Sequence, residues 1–227
     1  MAKSFLIDSG TLTTSLVSYY KLQDLQDEWG LNHLTNSGGV TFEVGKVGNA
    51  AKFDGVSNYL GRSNVLSTQT TDISMYGWVN IPTASEHGYF FCNGDGGNGY
   101  SMAIGLGDGN TNGNRLLALA NGIAWMDFGS NIGTGWHLVG IQRTGTTWTG
   151  YIDNVACATT RTTNPNAPAS QITFGSDRSI ASWKDKIDEF GFWNKALTAQ
   201  DRSDLWNGGA GNTILRPTGS ALMSFMV

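Results

Sequence analysis

The stretch Lys186-Ile187-Asp188-Glu189-Phe190-Gly191-Phe192-Trp193-Asn194-Lys195-Ala196-Leu197, continued by Thr198 to Gly209, decides how the rest of the chain is read. Its first half is apolar and aromatic, the composition of a buried strand. Its second half carries the marks of one short helix: Thr198 to cap the start, Asp201 three residues on, and Gly208-Gly209 to supply a left-handed stop. Working outward, the remaining periodic segments read as strands. Leu16 to Leu22 is β-rich, and Ala50 to Phe53 runs into a turn at Asp54-Gly55. Ile73 to Ile81 alternates, with Ile73, Met75, Gly77, Val79 and Ile81 on one side and Ser74, Tyr76, Trp78 and Asn80 on the other. Such alternation predicts a half-buried strand, stopped by Pro82. Tyr100 to Leu106 and Arg115 to Ala120 follow. Asn121-Gly122 then predicts a tight hairpin with both residues at positive φ, leading into Ile123 to Met126. Trp136 to Arg143 and Thr147 to Ile152 form another pair, and Asp153-Asn154 turns the chain into Val155 to Cys157.

Composition agrees with many short strands joined by turns. The chain has 227 residues, 31 of them glycine, and only 14% are charged, against a usual ~25%. This length suits one large all-β domain. A net charge of −4 offers no basic footprint for nucleic acid. No segment reaches the ~20 apolar residues of a membrane-spanning helix, so no membrane insertion is expected. Met1 to Asp8 holds too short an apolar run for a signal peptide. Such a chain is expected either to be intracellular or to be released by another route, such as cell lysis; the location expected here is a virion, or the outside of a cell reached without a classical signal. Cys92 and Cys157 are expected as two buried thiols, with one disulfide left open.

Five motifs in order resemble the laminin-G-like, concanavalin A-like jelly-roll domains. Leu16 to Leu22 resembles that family's first strand. Gly45-Lys46-Val47-Gly48-Asn49-Ala50-Ala51-Lys52-Phe53-Asp54-Gly55, with Asn58-Tyr59-Leu60, is similar to its glycine-lysine signature. Ile73 to Pro82 looks like its "I-S-x-W-V" strand, and Trp136 through Asn154 like its "W-H-x-V…Y-I-D-G" hairpin. The opening stretch matches its closing "I-D-E…N-x-A-L-T…L-x-x-G". The resemblance implies an all-β sandwich of two antiparallel sheets with one short C-terminal helix. It covers residues 16–211 and leaves 1–15 as an N-terminal arm and 212–227 as a C-terminal tail.

The same family includes glycoside hydrolases, so catalysis has to be weighed. A retaining hydrolase needs two carboxylates about 5–5.5 Å apart. The nearest candidate run is Asp185-Lys186-Ile187-Asp188-Glu189. On a regular strand adjacent residues face opposite sides, so Asp188 and Glu189 are expected to diverge, and no enzymatic activity is expected. No Gly-x-Ser-x-Gly or His-Glu-x-x-His is present, and His33, His87 and His137 are scattered. Gly94 to Gly99 fits G-x-G-x-x-G but leads into a strand, whereas a dinucleotide site opens a helix. Asp108 to Gly113 copies half of an EF-hand loop, with Leu119 where the bidentate Glu belongs.

The resemblance also implies a structural calcium ion, with Asp188 as first candidate ligand and Asp54 as second; the competing reading has Asp188 bonded to a neighbouring turn. Sugars stack on aromatic faces, so Tyr100, Trp125 and Trp183 are candidate glycan contacts, with Asn98 and Asp108 as hydrogen-bonding partners. Trp78, Trp136 and Trp193 are assigned to the core. The expected function is non-catalytic: a virion surface protein, decorating a particle or associated with a fibre, whose lectin-like domain adheres to cell-surface glycans. Its partners would be other copies of itself or neighbouring structural subunits, docked through the apolar end at Leu222 and Phe225. The alternative is a free carbohydrate-binding module, with a glycoside hydrolase behind it.

Overall fold

The computed structural model describes residues 11–85, 87–106, 113–176, 178 and 181–216. Among these, the first half of the chain forms β1 (Leu16–Tyr20), β2 (Thr35–Ser37), β3 (Thr41–Val44), β4 (Asn49–Asp54), β5 (Tyr59–Ser63), β6 (Ile73–Ile81), β7 (Gly88–Gly94) and β8 (Gly99–Ile104). The second half forms β9 (Arg115–Ala120), β10 (Ala124–Asn131), β11 (Gly135–Thr144), β12 (Thr147–Ile152), β13 (Val155–Thr162), β14 (Gln171–Phe174), β15 (Lys184–Trp193) and α1 (Ala199–Trp206). One antiparallel sheet runs β13-β12-β11-β6-β15-β4-β3, with β1 also on β15; the other runs β10-β9-β8-β7-β14-β5-β2. This is the expected all-β sandwich with one short C-terminal helix.

The inner faces meet in an aromatic core. Phe91 lies 4.4 Å from Phe190 and 5.0 Å from Phe174, ring centre to ring centre, and Tyr100 stacks on Phe192 at 6.3 Å. Each such side chain removed from water contributes about 1.5–3 kcal/mol. Strand β7 is buried along its whole length, which explains why alternation did not reveal it. Strand β6 alternates as expected but is buried on both faces, so it is not half-buried. Its outward residues Tyr76 and Trp78 are covered by a second apolar cluster containing Leu12, Trp193, Leu197, Leu205 and Ile214.

That cover shifts the expected boundaries. Leu12 accepts a hydrogen bond from Trp193 Nε1 at 2.7 Å, and Thr11 Oγ1 donates to Asp201 at 2.6 Å. At the other end, the Ile214 amide donates to the Tyr19 hydroxyl at 3.0 Å, and Asn212 donates to Asp204 at 2.7 Å. Residues 11–15 and 212–216 therefore fold back onto their own sandwich. The apolar end expected to mediate assembly, Leu222 and Phe225, lies outside the described residues.

Helix α1 has the full reciprocal cap: Thr198 Oγ1 accepts from the Asp201 amide, and Asp201 accepts from the Thr198 amide. Its left-handed stop begins one residue earlier than expected, at Asn207 with φ 46. The Asp153-Asn154 turn has positive φ at both residues, 51 and 65. The Asn121-Gly122 turn differs from expectation. Only Gly122 has positive φ, and Ala120 pairs with Ala124 across a three-residue loop. Asn121 is instead fixed by its side chain, described below.

The largest departure lies in β15. This strand pairs with β4 through Lys184 to Ile187 and with β1 through Phe190 to Trp193. Asp188 and Glu189 sit in the break between them, where the pairing with β6 also shifts register. Glu189 has φ 50, and Ile187 and Phe190 both point into the inner core. The bulge resets alternation. Asp188 and Glu189 therefore share the outer face, contrary to the expected divergence.

Candidate functional site

Two clefts adjoin each other on the open side of the seven-stranded sheet. The larger, about 540 Å³, is built from three connections at one end of the sandwich. The turn from β4 to β5 is held by Asp54, whose Oδ1 accepts N–H groups of Val56 at 2.8 Å, Ser57 at 3.0 Å and Asn58 at 3.3 Å. Slight burial raises its carboxyl, but these backbone donors outweigh that and hold it below the usual range. The connection from β14 to β15 is braced by the Ser182 hydroxyl, 3.2 Å from both the Val56 carbonyl and the Ser176 hydroxyl. Ser182 also pairs in parallel with Tyr89 at the start of β7. Gly88 makes that approach possible, because a Cβ there would lie 2.8 Å from the Ser182 carbonyl oxygen. Into this frame project Tyr59, His87, Arg178 and Lys184. The Arg178 guanidinium sits 5.2 Å from the centre of the Tyr59 ring, and also donates to Gln171.

The smaller cleft, about 80 Å³, lies on the outer sheet face among Tyr89, Cys92, Asp95, Ser101, Leu119 and Asn121. Trp125, half-buried on β10, leans over Tyr89 with ring centres 5.6 Å apart. The loop from β7 to β8 closes one side. Asp95 Oδ2 accepts from Ser170 at 2.7 Å, and its Oδ1 from the Gly97 and Asn98 amides at 3.0 Å. Those bonds, led by the one from Ser170, hold its carboxyl below the usual range against a slight burial effect. Asn121 ties the loop to the sheet, donating to the Asp95 carbonyl at 2.8 Å and accepting from Ser101 at 2.9 Å. Gly94 at the loop's start has φ 140, and a Cβ there would come within 2.0 Å of the Asn98 carbonyl oxygen. Ala181 of the larger cleft packs against the apolar cluster that holds Tyr89 and Cys92 of the smaller.

The family-implied calcium site gains one residue and loses one. Asp188 Oδ2 accepts the Lys46 and Val47 amides, both at 2.8 Å, as the bonded-turn reading expected. Asp188 Oδ1, however, has no hydrogen-bond partner among the described residues, and neither has Glu189 Oε2, although both are buried. Burial pushes the Asp188 carboxyl up to about 7 against those backbone bonds, and raises Glu189 well above its usual value. Two orphaned carboxylate oxygens on one face suit a hard, oxygen-seeking cation. No group of three His, Cys, Asp or Glu side chains surrounds them among the described residues, so backbone carbonyls and water would complete the shell. Asp54 does not belong there: it pairs with Lys184, at the far end of the β15–β4 pairing.

Over residues 53–201 the sequence matches the family model described as the concanavalin A-like lectin/glucanases superfamily. The chain belongs to this superfamily. No curated protein sequence matches it. Among solved structures, domain 4 of AbnA, a GH43 extracellular arabinanase from Geobacillus stearothermophilus solved with arabinotriose, is 22% identical. Its TM-score is 0.69, over 84% of this chain and 97% of that one. Botulinum neurotoxin type C, whose cell entry depends on two ganglioside molecules, is 14% identical with a TM-score of 0.66, over 88% of this chain and 53% of that one. The binding domain of botulinum neurotoxin DC, in complex with SialylT, is 15% identical with a TM-score of 0.67, over 87% and 52%. At these identities the likeness is one of fold.

For this superfamily member, only part of the expected glycan set survives. Tyr100 and Trp183 are completely buried and offer no face to a sugar. The Tyr100 hydroxyl is bonded to Asn93 at 3.1 Å, inside the sandwich. The Asn98 side chain donates to Asp95 at 3.1 Å and so shapes its own loop. Asp108 lies outside the described residues. Trp125 alone of the three aromatics reaches the surface beside a cleft. Cys92 and Cys157 are not joined in a disulfide; Cys92 is buried as expected, whereas Cys157 is only partly buried. His137 Nδ1 lies 2.6 Å from Asp153 Oδ2, and that hydrogen bond, resisted by burial, raises the imidazole above its usual value. Sequence reading missed His87, Arg178, Lys184 and Tyr89. No local pattern marks them, because three separate connections supply one cleft. The only available signal was the run of polar and basic residues between Gly175 and Lys184.

Proposed function

We propose that this protein binds carbohydrate without transforming it, on the open side of the seven-stranded sheet. The observation that carries the reading is Trp125, half-buried against Tyr89 and placed beside two polar clefts on a sheet face that neither α1 nor a described terminal segment covers. An apolar ring next to convergent hydrogen-bonding groups is the usual design of a small-ligand site. The arabinotriose of the arabinanase domain and the gangliosides of the neurotoxin support carbohydrate as the ligand class. A non-catalytic role is supported by the carboxylates. Asp188 and Glu189 share a face but are sealed beneath the 211–214 segment, where a glycosidic bond cannot reach them. A calcium ion held by Asp188 and Glu189 would brace the break in β15 and serve the fold.

A glycan array with the wild-type protein and Trp125→Ala tests this reading. Expected are hits whose affinity falls at least about tenfold in the variant, or ~1.4 kcal/mol. A blank array with folded protein would refute it.

Attachment to a particle is a second reading, favoured by one observation. Ile214 docks on the α1 side, so the described chain ends on the face opposite Trp125. A protein tethered by that end would present its clefts outward. Deleting residues 217–227 should then abolish assembly while preserving glycan binding; intact assembly would rule out tethering.

A further inference from the structure

The charge of the larger cleft specifies more than a sugar. The protein as a whole carries −4, yet Arg178, Lys184 and His87 all line this cleft, and no carboxylate does so among the described residues. Neither Arg178 nor Lys184 forms an ion pair with a described residue. The carboxylate of Asp54, in the adjoining turn, is directed into three backbone N–H groups. Arg178 is also held in place. Its backbone has φ 67, a left-handed conformation rare for a non-glycine residue, and its amide donates to Ser176 Oγ at 2.9 Å. Such outliers gather where a side chain must be aimed. Resting over Tyr59 and tied to Gln171, the guanidinium keeps further donors free, since it has five. A planar fork of this kind matches the oxygens of a carboxylate or sulfate, and a nearby ammonium adds a point charge. The hydroxyls of Ser57 and Ser182 line the same space and suit the neutral ring oxygens around such a group.

We infer that the loop-end cleft selects a saccharide carrying an anionic substituent, a uronate carboxylate or a sulfate ester, and engages that group through Arg178 and Lys184. Trp125, beside the smaller cleft, would receive a neighbouring neutral residue of the same chain. The inference rests on the carbohydrate reading above and narrows it to acidic glycans.

The test is an array printed with matched pairs: galacturonate oligomers and their methyl esters, sulfated and unsulfated galactans, and sialylated and asialo oligosaccharides. Titration calorimetry on any hit follows, with the wild type, Arg178→Gln, Lys184→Ala and Trp125→Ala, at 50 and 300 mM salt. Expected is a preference of tenfold or more for the charged member of a pair. It should shrink with salt, and Arg178→Gln should remove it. The pairs also separate carboxylate from sulfate. Hits with no preference for charge, or a preference that survives both Arg178→Gln and Lys184→Ala, would overturn the inference and leave the carbohydrate reading standing. An array blank for every pair would overturn both. All three substituted residues lie at the surface, and unchanged melting midpoints for Arg178→Gln and Lys184→Ala would show that any loss is not one of folding.

Discussion

The outer faces of the two sheets are furnished alike and used differently. On the eight-stranded sheet, Tyr76, Trp78 and Trp193 are closed over by α1, Leu12 and Ile214, and Trp78 stacks on Trp206 at 5.3 Å. On the seven-stranded sheet, the buried Tyr89, Cys92 and Ala103 form a smaller cluster against which Trp125, Leu119 and Ala181 pack, and neither α1 nor a described terminal segment joins it. Aromatic content therefore does not mark function in this chain. What distinguishes the faces is whether residues near the chain ends return to cover them. The covered face holds the fold together, and the open face, with its adjoining cleft, is the one proposed to take a ligand.

Substitutions on the two faces should separate stability from binding. The largest effect is expected on the covered side. Trp193→Ala removes a fully buried indole and its bond to Leu12, which should cost about 3–5 kcal/mol in chemical denaturation. A loss below about 1 kcal/mol would mean the cover is not structural. Next is the calcium ion proposed beneath the cover. Calcium at a hundred times its dissociation constant should add about 2.7 kcal/mol, or roughly 5–10 °C in the melting midpoint for a domain of this size. EDTA should reverse the gain, and Asp188→Asn with Glu189→Gln should abolish it; an equal gain in that double variant would move the ion elsewhere. On the open side, Trp125→Ala should cost only about 1 kcal/mol of stability, as partly exposed positions do, while glycan affinity falls tenfold or more. The smallest effect concerns His137. Its pKa is raised in the folded state by Asp153, so the pair's contribution is full below the unfolded value of about 6.5. It is lost as pH rises through the folded value. Asp153→Asn should flatten that slope between pH 6 and 8; a slope unchanged in the variant would assign it to other groups.

Much of the sandwich was legible because its strands and cap obey local rules. The capped helix at Thr198, the positive-φ turn at Asp153-Asn154 and the ordered motifs from Leu16 to Gly209 each depend on residues close in sequence. Three features did not. Strand β7 lies between neighbours on both sides and has apolar or small residues throughout, so it has no period to read. The β15 bulge reversed the facing of Glu189, because alternation holds only while pairing is unbroken, and β15 changes partner there. The larger cleft joins Tyr59, His87 and Arg178 across more than a hundred residues of chain. Burial also undid plausible surface aromatics: Tyr100 and Trp183 sit near loops in sequence but point into the sandwich.

The most direct measurement uses the tryptophans themselves. The chain has eight, each with an indole N–H signal in a proton–nitrogen spectrum. Titrating a saccharide identified on the array should shift the Trp125 signal progressively and saturably, and leave those of Trp78, Trp193 and Trp206 in place. Movement of the Trp206 signal without that of Trp125 would put the ligand on the α1 side and contradict the division of labour between the two faces.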